Sequence, residues 1–122
     1  MGRKPREKSG TGIYHVMLRG VNRQDIFEDE EDYAVFKKQL YRVVFYKDES
    51  GRSQPPRCAI YAYCLMTNHV HLLVRETIED LSTVIKRITV GYALYYNSKY
   101  QHVGHLFQNR FRSEVVNDEG YF

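Results

Sequence analysis

A chain of 122 residues, 43% hydrophobic and 27% charged, has the length of one compact domain and the composition of an ordinary folded one, which excludes a wholly disordered chain. Eighteen Lys and Arg against 15 Asp and Glu leave a net charge of +3, too small an excess to identify a polyanionic partner by itself. No apolar run reaches the roughly 20 residues that cross a bilayer, and the basic start from Met1 to Ser9 lacks an apolar signal core, so neither membrane nor secreted placement is expected and a cytoplasmic one is.

Residues 1–11, rich in Lys, Arg, Gly and Ser, read as a basic flexible arm ahead of a domain spanning 12–122. From Ile13 to Leu18, Tyr14, Val16 and Leu18 alternate with His15 and Met17, the period of a strand, which stops at Arg19 and Gly20. An acidic block from Asp25 to Asp32 then meets a helix predicted over Glu30 to Tyr46. Tyr33, Phe36, Leu40, Val43 and Val44 recur there at helical spacing, and the acids sit at its positive N-terminal end. Asp48, Ser50, Gly51, Ser53 and Pro55-Pro56 make 47–57 a loop. Cys58 to Leu65 and His69 to Val74 read as two antiparallel strands joined by Met66, Thr67 and Asn68.

Thr77 with Asp80 has the form of a capping box. The helix after it is predicted to reach Asn97 on a stripe of Leu81, Val84, Ile85, Ile88, Tyr92 and Tyr95. Gly104 to Val116 reads as extended, and Asn117-Asp118-Glu119 as the opening of a third helix cut short by the chain end. The order strand, helix, strand, strand, helix, strand predicts an α+β fold: a ferredoxin-like split βαβ sandwich, its antiparallel sheet carrying helices on one face. The opposite face is then open to a ligand.

His69 and His71 flank Val70 on a predicted strand, so a period of two sends both imidazoles to one side. Two neutral ring nitrogens at that spacing can chelate one divalent ion and leave its other positions to water or a phosphate oxygen. Spacing alone leaves open the alternative of two ordinary surface histidines. Arg19, Asn22, Arg23 and Gln24 directly follow a strand and have the donors that suit phosphate oxygens and base edges, with a solvated turn as the alternative. Lys86, Arg87, Arg110 and Arg112 are further candidates to neutralise phosphates. His15, His102 and His105 are candidates either to support a ligand from behind or to play structural roles, the structural role being favoured, and Cys58 and Cys64 read as small buried hydrophobes. Eleven Tyr without a Trp leave packing, base stacking and nucleophilic chemistry all open.

The stretch from Tyr63 to Val74, centred on Asn68-His69-Val70-His71, resembles the histidine-hydrophobic-histidine (HUH) strand of the single-tyrosine transposases. Tyr14 to Phe27, with Arg19-Gly20-Val21-Asn22-Arg23-Gln24 at its centre, is similar to the N-terminal segment of the REP-associated tyrosine transposase branch. Gly104 to Ser113 resembles that branch's late strand. Together the three segments cover the chain from about Ile13 to Phe122.

This resemblance implies DNA transposition: binding of single-stranded, hairpin-bearing DNA, then cleavage and rejoining by metal-assisted tyrosine attack through a 5′-phosphotyrosine. It implies His69 and His71 as ligands of a divalent ion, Mg or Mn, no nucleotide cofactor, and the possibility of a homodimer. The chain departs from the family pattern in its nucleophile, which lies on the helix after the late strand. The tyrosine is therefore expected beyond the chain end, with Tyr121 a weak candidate. The alternatives are a non-catalytic DNA-binding remnant and a ferredoxin-like sensor holding a regulatory metal.

Overall fold

The computed structural model describes residues 7–117. They form β1 (Ile13–Arg19), a short 3-10 turn (Val21–Arg23), α1 (Glu30–Val44), β2 (Cys58–Leu65), β3 (His69–Glu76), α2 (Leu81–Tyr100) and β4 (Arg112–Val116). The strands lie in the order β2-β3-β1-β4, and every neighbouring pair is antiparallel. β3 thus separates β1 from β2, which is the split βαβ arrangement expected from the sequence.

Alternation decides which face is which. On β1, Tyr14, Val16 and Leu18 are buried, and they sit in register with Val74, Leu72 and Val70 of β3, also buried. These six side chains form the floor on which both helices pack, through Phe36, Leu40 and Val43 of α1 and Val84, Ile85, Ile88 and Tyr92 of α2. The Tyr92 ring lies 5.3 Å from Phe36 and 5.4 Å from Phe27 between ring centroids, so an aromatic cluster fills the centre of the sandwich. The residues between them on each strand, His15 and Met17 on β1 and His69 and His71 on β3, take the other face.

Several boundaries differ from the sequence expectation for identifiable reasons. The first helix stops at Val44, two residues short of Tyr46, because Phe45 leaves helical geometry at ψ 70°. Its start is fixed by Asp29, whose side chain accepts from the Asp32 N–H in a reciprocal capping box. At α2 the cap is Asp80, which accepts from the Thr83 N–H, while the Thr77 hydroxyl donates to the Pro56 carbonyl instead. This helix runs three residues beyond Asn97. Lys99 and Tyr100 are tied to α1 by tertiary contacts that periodicity does not reveal, and Gln101 ends the helix at φ 54°.

Of the segment predicted as extended, only Arg112–Val116 is a strand. Residues 104–111 run as a loop that meets the chain just past β1 through a single bridge between Gly20 and Phe107. Cys64 is exposed rather than buried: it pairs with His71 across the outermost strand and so shares the open face. Cys58 is buried as expected, and that burial, with Glu79 nearby, pushes its thiol up to about 11. Within the described part of the basic arm, the Ser9 hydroxyl donates to the Val116 carbonyl at 2.9 Å and the Gly10 N–H to Asn117 Oδ1 at 2.8 Å. Asn117 itself is not helical, and Asp118, Glu119 and Tyr121 lie outside the described residues. No helix among the described residues is long and apolar enough to cross a membrane.

Candidate functional site

His69 and His71 project from the same face of β3, each partly exposed, with ring centroids 5.1 Å apart and planes at 85°. Strand register fixes their neighbours, since residues opposite one another in an antiparallel pair share a face. Arg19 lies opposite His69, and the row Arg112, Met17, His71, Cys64 crosses all four strands. On the diagonal from His71 is His15. The two rings stack at 5.1 Å and 16°, with His15 Nε2 only 3.0 Å from His71 Nδ1. His15 Nδ1 in turn lies 4.0 Å from Glu114 Oε2 on β4, and His69 Nδ1 lies 2.8 Å from Asn68 Oδ1. Partial burial, with His15 and His69 alongside, holds the His71 pKa below its ordinary value, so its ring is neutral and retains a lone pair at neutral pH.

The polar segment after β1 is built onto the same corner. The Gly20 N–H donates to the Asn68 carbonyl at 2.9 Å, the Ile26 N–H to the Thr67 carbonyl at 2.8 Å, and Asn68 Nδ2 to the Arg23 carbonyl at 3.3 Å. The hairpin turn that delivers His69 and the loop that carries Asn22, Arg23 and Gln24 are therefore one hydrogen-bonded unit. Asn22 and Arg23 adopt left-handed backbone at φ 53° and 61°. Gly20 leaves no room for a side chain, since a Cβ there would stand 2.2 Å from the Gln24 carbonyl oxygen. Gln24 Oε1 lies 3.2 Å from Nε2 of His102, whose Nδ1 is 2.7 Å from Asn97 Oδ1, a structural tie between this loop and the end of α2.

The remaining basic candidates divide into three groups. Arg112 is exposed on the open face. Lys86 and Arg110 join Arg19, His105, Gln108 and Asn109 around a cavity of about 730 Å³ between α2 and the 104–111 loop. Arg87 is drawn elsewhere, its Nη2 2.7 Å and its Nε 2.9 Å from the Glu79 carboxylate, which Arg57 also approaches at 3.7 Å. Two residues of the open face were not counted among the predicted site residues. His15 was taken as structural, although its alternation with Tyr14 and Val16 already put it on the non-core side. Arg75 shares the face too, and donates to the Tyr61 hydroxyl at 3.4 Å.

The tyrosines of α2 serve another purpose. Tyr92 donates to the Ile26 carbonyl, Tyr95 to Asp32 Oδ1 at 2.6 Å, Tyr96 to Glu28 Oε2 at 3.1 Å and Tyr100 to Asp32 Oδ2 at 2.5 Å. All four hydroxyls lie on the helix side of the sheet, away from the histidines. Burial first, and then neighbouring acidic groups, raise the pKa of each, that of Tyr96 to about 12. Such phenols resist becoming nucleophilic phenolates. The acidic trio Asp29, Glu31 and Asp32 has ligand-type oxygens close together, but Lys99 Nζ already sits among them at 2.8, 2.8 and 3.0 Å. A cation there must displace an ammonium that desolvation opposes but these hydrogen bonds hold strongly protonated.

Comparison with known proteins adds the following. The model of the family described as "Transposase IS200 like" matches residues 9–121. The structure of a REP-associated tyrosine transposase bound to a REP hairpin superposes with a TM-score of 0.70 at 15% identity, over 99% of this chain and 66% of that one. A candidate transposase from Deinococcus radiodurans R1 superposes with a TM-score of 0.62 at 16% identity, over 98% of this chain and 90% of that one. At such identities the likeness is one of fold. No curated protein sequence matches.

Proposed function

Because this chain belongs to the IS200-like transposase family, we propose that it binds single-stranded DNA bearing a hairpin and holds the catalytic ion of a tyrosine strand-transfer reaction. His69 and His71 are the proposed ligands, and the two rings side by side on an open sheet face are the observation that supports this most. Their chemistry fits: two partly exposed imidazoles, one with a lowered pKa, on a face with room for further ligands. A bound divalent ion, Mg or Mn, supplies positive charge where the oxygens of a scissile phosphate gather negative charge. Arg19, Asn22, Arg23 and Gln24 orient the DNA backbone beside it, and Arg112 extends the basic surface across the sheet. Lys86 and Arg110 offer a second contact region at the cavity shared with Arg19. Arg87, paired with Glu79, contributes least.

No tyrosine of α2 attacks in this scheme, because their hydroxyls face away from His69 and His71 and their pKa values are raised. The nucleophile is a tyrosine C-terminal to β4, either Tyr121 or one supplied by sequence past Phe122. It opens the phosphodiester to a 5′-phosphotyrosine and frees a 3′-hydroxyl, conserving bond energy for rejoining. In a homodimer, a second copy of the chain would supply that tyrosine. The hairpin partner rests on the solved REP-associated relative, which is bound to one. A cytoplasmic location accords with this role.

The test incubates this chain, and a version extended past Phe122, with hairpin-bearing single-stranded DNA and Mn²⁺, and looks for a denaturant-stable protein–DNA adduct. The extended version is expected to form one, and His69→Ala with His71→Ala to abolish it. No adduct from the extended version, with DNA binding that survives both chelation and the double substitution, would instead identify a non-catalytic DNA-binding remnant.

A further inference from the structure

Imidazole binds a metal through whichever ring nitrogen lacks a proton, so two histidines make a usable pair only when something sets the tautomer of each. For His69 the choice is unambiguous. Asn68 Nδ2 donates to the Arg23 carbonyl, which turns Oδ1 toward His69 Nδ1 at 2.8 Å. A carbonyl oxygen can only accept, so His69 carries its proton on Nδ1 and its lone pair on Nε2. For His71 the partner is His15 Nε2 at 3.0 Å from Nδ1, a contact either ring could donate. The Glu114 carboxylate, 4.0 Å from His15 Nδ1, breaks the symmetry. Its negative charge favours the proton on that nitrogen, which makes His15 Nε2 the acceptor and His71 Nδ1 the donor.

We propose that Asn68 and His15 are positioning residues, which fix His69 and His71 as Nδ1-protonated tautomers and leave both Nε2 lone pairs as the ligand atoms. Glu114 on β4, His15 on β1 and His71 on β3 form a relay across three strands; Arg23, Asn68 and His69 form the matching one at the hairpin. The loop read as a DNA contact thereby also orients a ligand, so its occupancy and the ion's are coupled. The role rests on the metal function proposed above for His69 and His71, whereas the tautomers can be read without any metal.

The experiment has two arms on the whole chain. In the first, nitrogen NMR of ¹⁵N-histidine-labelled, metal-free protein at neutral pH reads which nitrogen of each ring is protonated. The wild type is expected to show Nδ1–H on both His69 and His71, His15→Leu a mixture at His71 alone, and Asn68→Ala a mixture at His69 alone. In the second, Mn²⁺ is titrated calorimetrically. His15→Leu and Asn68→Ala are each expected to weaken binding about 10- to 100-fold, and His15→Gln, whose side-chain oxygen can still accept, to restore the affinity to within about threefold.

A urea midpoint for each variant separates these effects from unfolding, and a His15 that merely filled space would be replaced well by Leu and not selectively by Gln. An Nε2-protonated His71 in the wild type, or Mn²⁺ binding indifferent to His15→Leu and Asn68→Ala, would overturn the positioning role alone. A wild type with both tautomers as assigned but no Mn²⁺ binding would overturn the metal site itself, and with it the purpose of the two residues.

Discussion

Asp32 is the residue on which the helix layer most depends, and replacing it tests how far buried polar satisfaction stabilises this small domain. Its carboxylate is fully buried and collects five donors. Oδ2 accepts from the N–H groups of Glu28 at 2.8 Å and Asp29 at 3.3 Å and from the Tyr100 hydroxyl at 2.5 Å. Oδ1 accepts from the Tyr95 hydroxyl at 2.6 Å and from Lys99 at 3.0 Å. Hydrogen bonds to a charged group contribute about 1.5–3 kcal/mol each, but the five do not add, because Lys99 and Tyr95 can turn to water once the acceptor is gone.

Breaking one side of a buried ionic cluster costs about 3–5 kcal/mol, and that is the loss expected for Asp32→Ala. Asp32→Asn keeps the shape and one acceptor oxygen and should lose about 2–3 kcal/mol. With a urea slope of about 1–3 kcal/mol/M for a domain of this size, the Asn variant's midpoint should fall by roughly 1–2 M at pH 7. Equilibrium urea unfolding followed by tyrosine fluorescence and far-UV circular dichroism measures both. An Asp32→Asn midpoint within about 0.3 M of the wild type would show that the cluster is solvated in place and that α1 and α2 are held by apolar contacts alone.

Acid should act through the same group. Desolvation opposes ionisation of Asp32, yet hydrogen bonds from Tyr100, Tyr95, the Glu28 backbone and Lys99 hold its pKa well below the usual carboxylate range. A depressed folded-state pKa means stability present above the unfolded value of about 3.9 and lost as pH falls from there through the folded one. Urea midpoints should therefore drop on acidification below about pH 4, and less steeply in Asp32→Asn. Gly20→Ala should cost about 1–3 kcal/mol by forcing the backbone away from the Gln24 carbonyl, and should broaden the amide NMR signals of residues 20–27 and 66–69; an unchanged melting temperature would refute the steric argument. If Arg19 and Arg112 neutralise phosphates, Arg19→Ala and Arg112→Ala should each reduce the logarithmic salt dependence of DNA binding by about 1, while Arg87→Ala should leave it unchanged; equal slopes in all three would refute the assignment.

Much of this was legible in the residues because period two and period 3.6 are written directly into the chain. Tyr14, Val16, Leu18 and Val70, Leu72, Val74 announce two core-facing strand sides, and the placement of His69 and His71 together on the open face follows from the same alternation. Contacts made at long sequence separation were not legible. Nothing local tells that α2 continues to Tyr100, because the reason is Asp32, 68 residues earlier. Nothing local makes 104–111 a loop bridged through Phe107 to Gly20, just past the end of β1. His15 was within reach: its side of β1 was known, and only the adjacency of β1 to β3 was needed to bring it beside His71. Cys64 was misjudged because apolar character was taken for burial on an edge strand with one open face.

The central claim is that His69 and His71 hold one divalent ion on the open side of the sheet. Its most direct test is a Mn²⁺ titration followed by electron paramagnetic resonance, comparing the wild type with His69→Ala/His71→Ala and with Asp29→Asn/Glu31→Gln, which weakens the only acidic trio of suitable geometry among the described residues. One ion per chain, lost in the histidine variant and retained in the acidic one, is the predicted result. Mn²⁺ that stays bound without the two imidazoles, or leaves with the two acids, would contradict it.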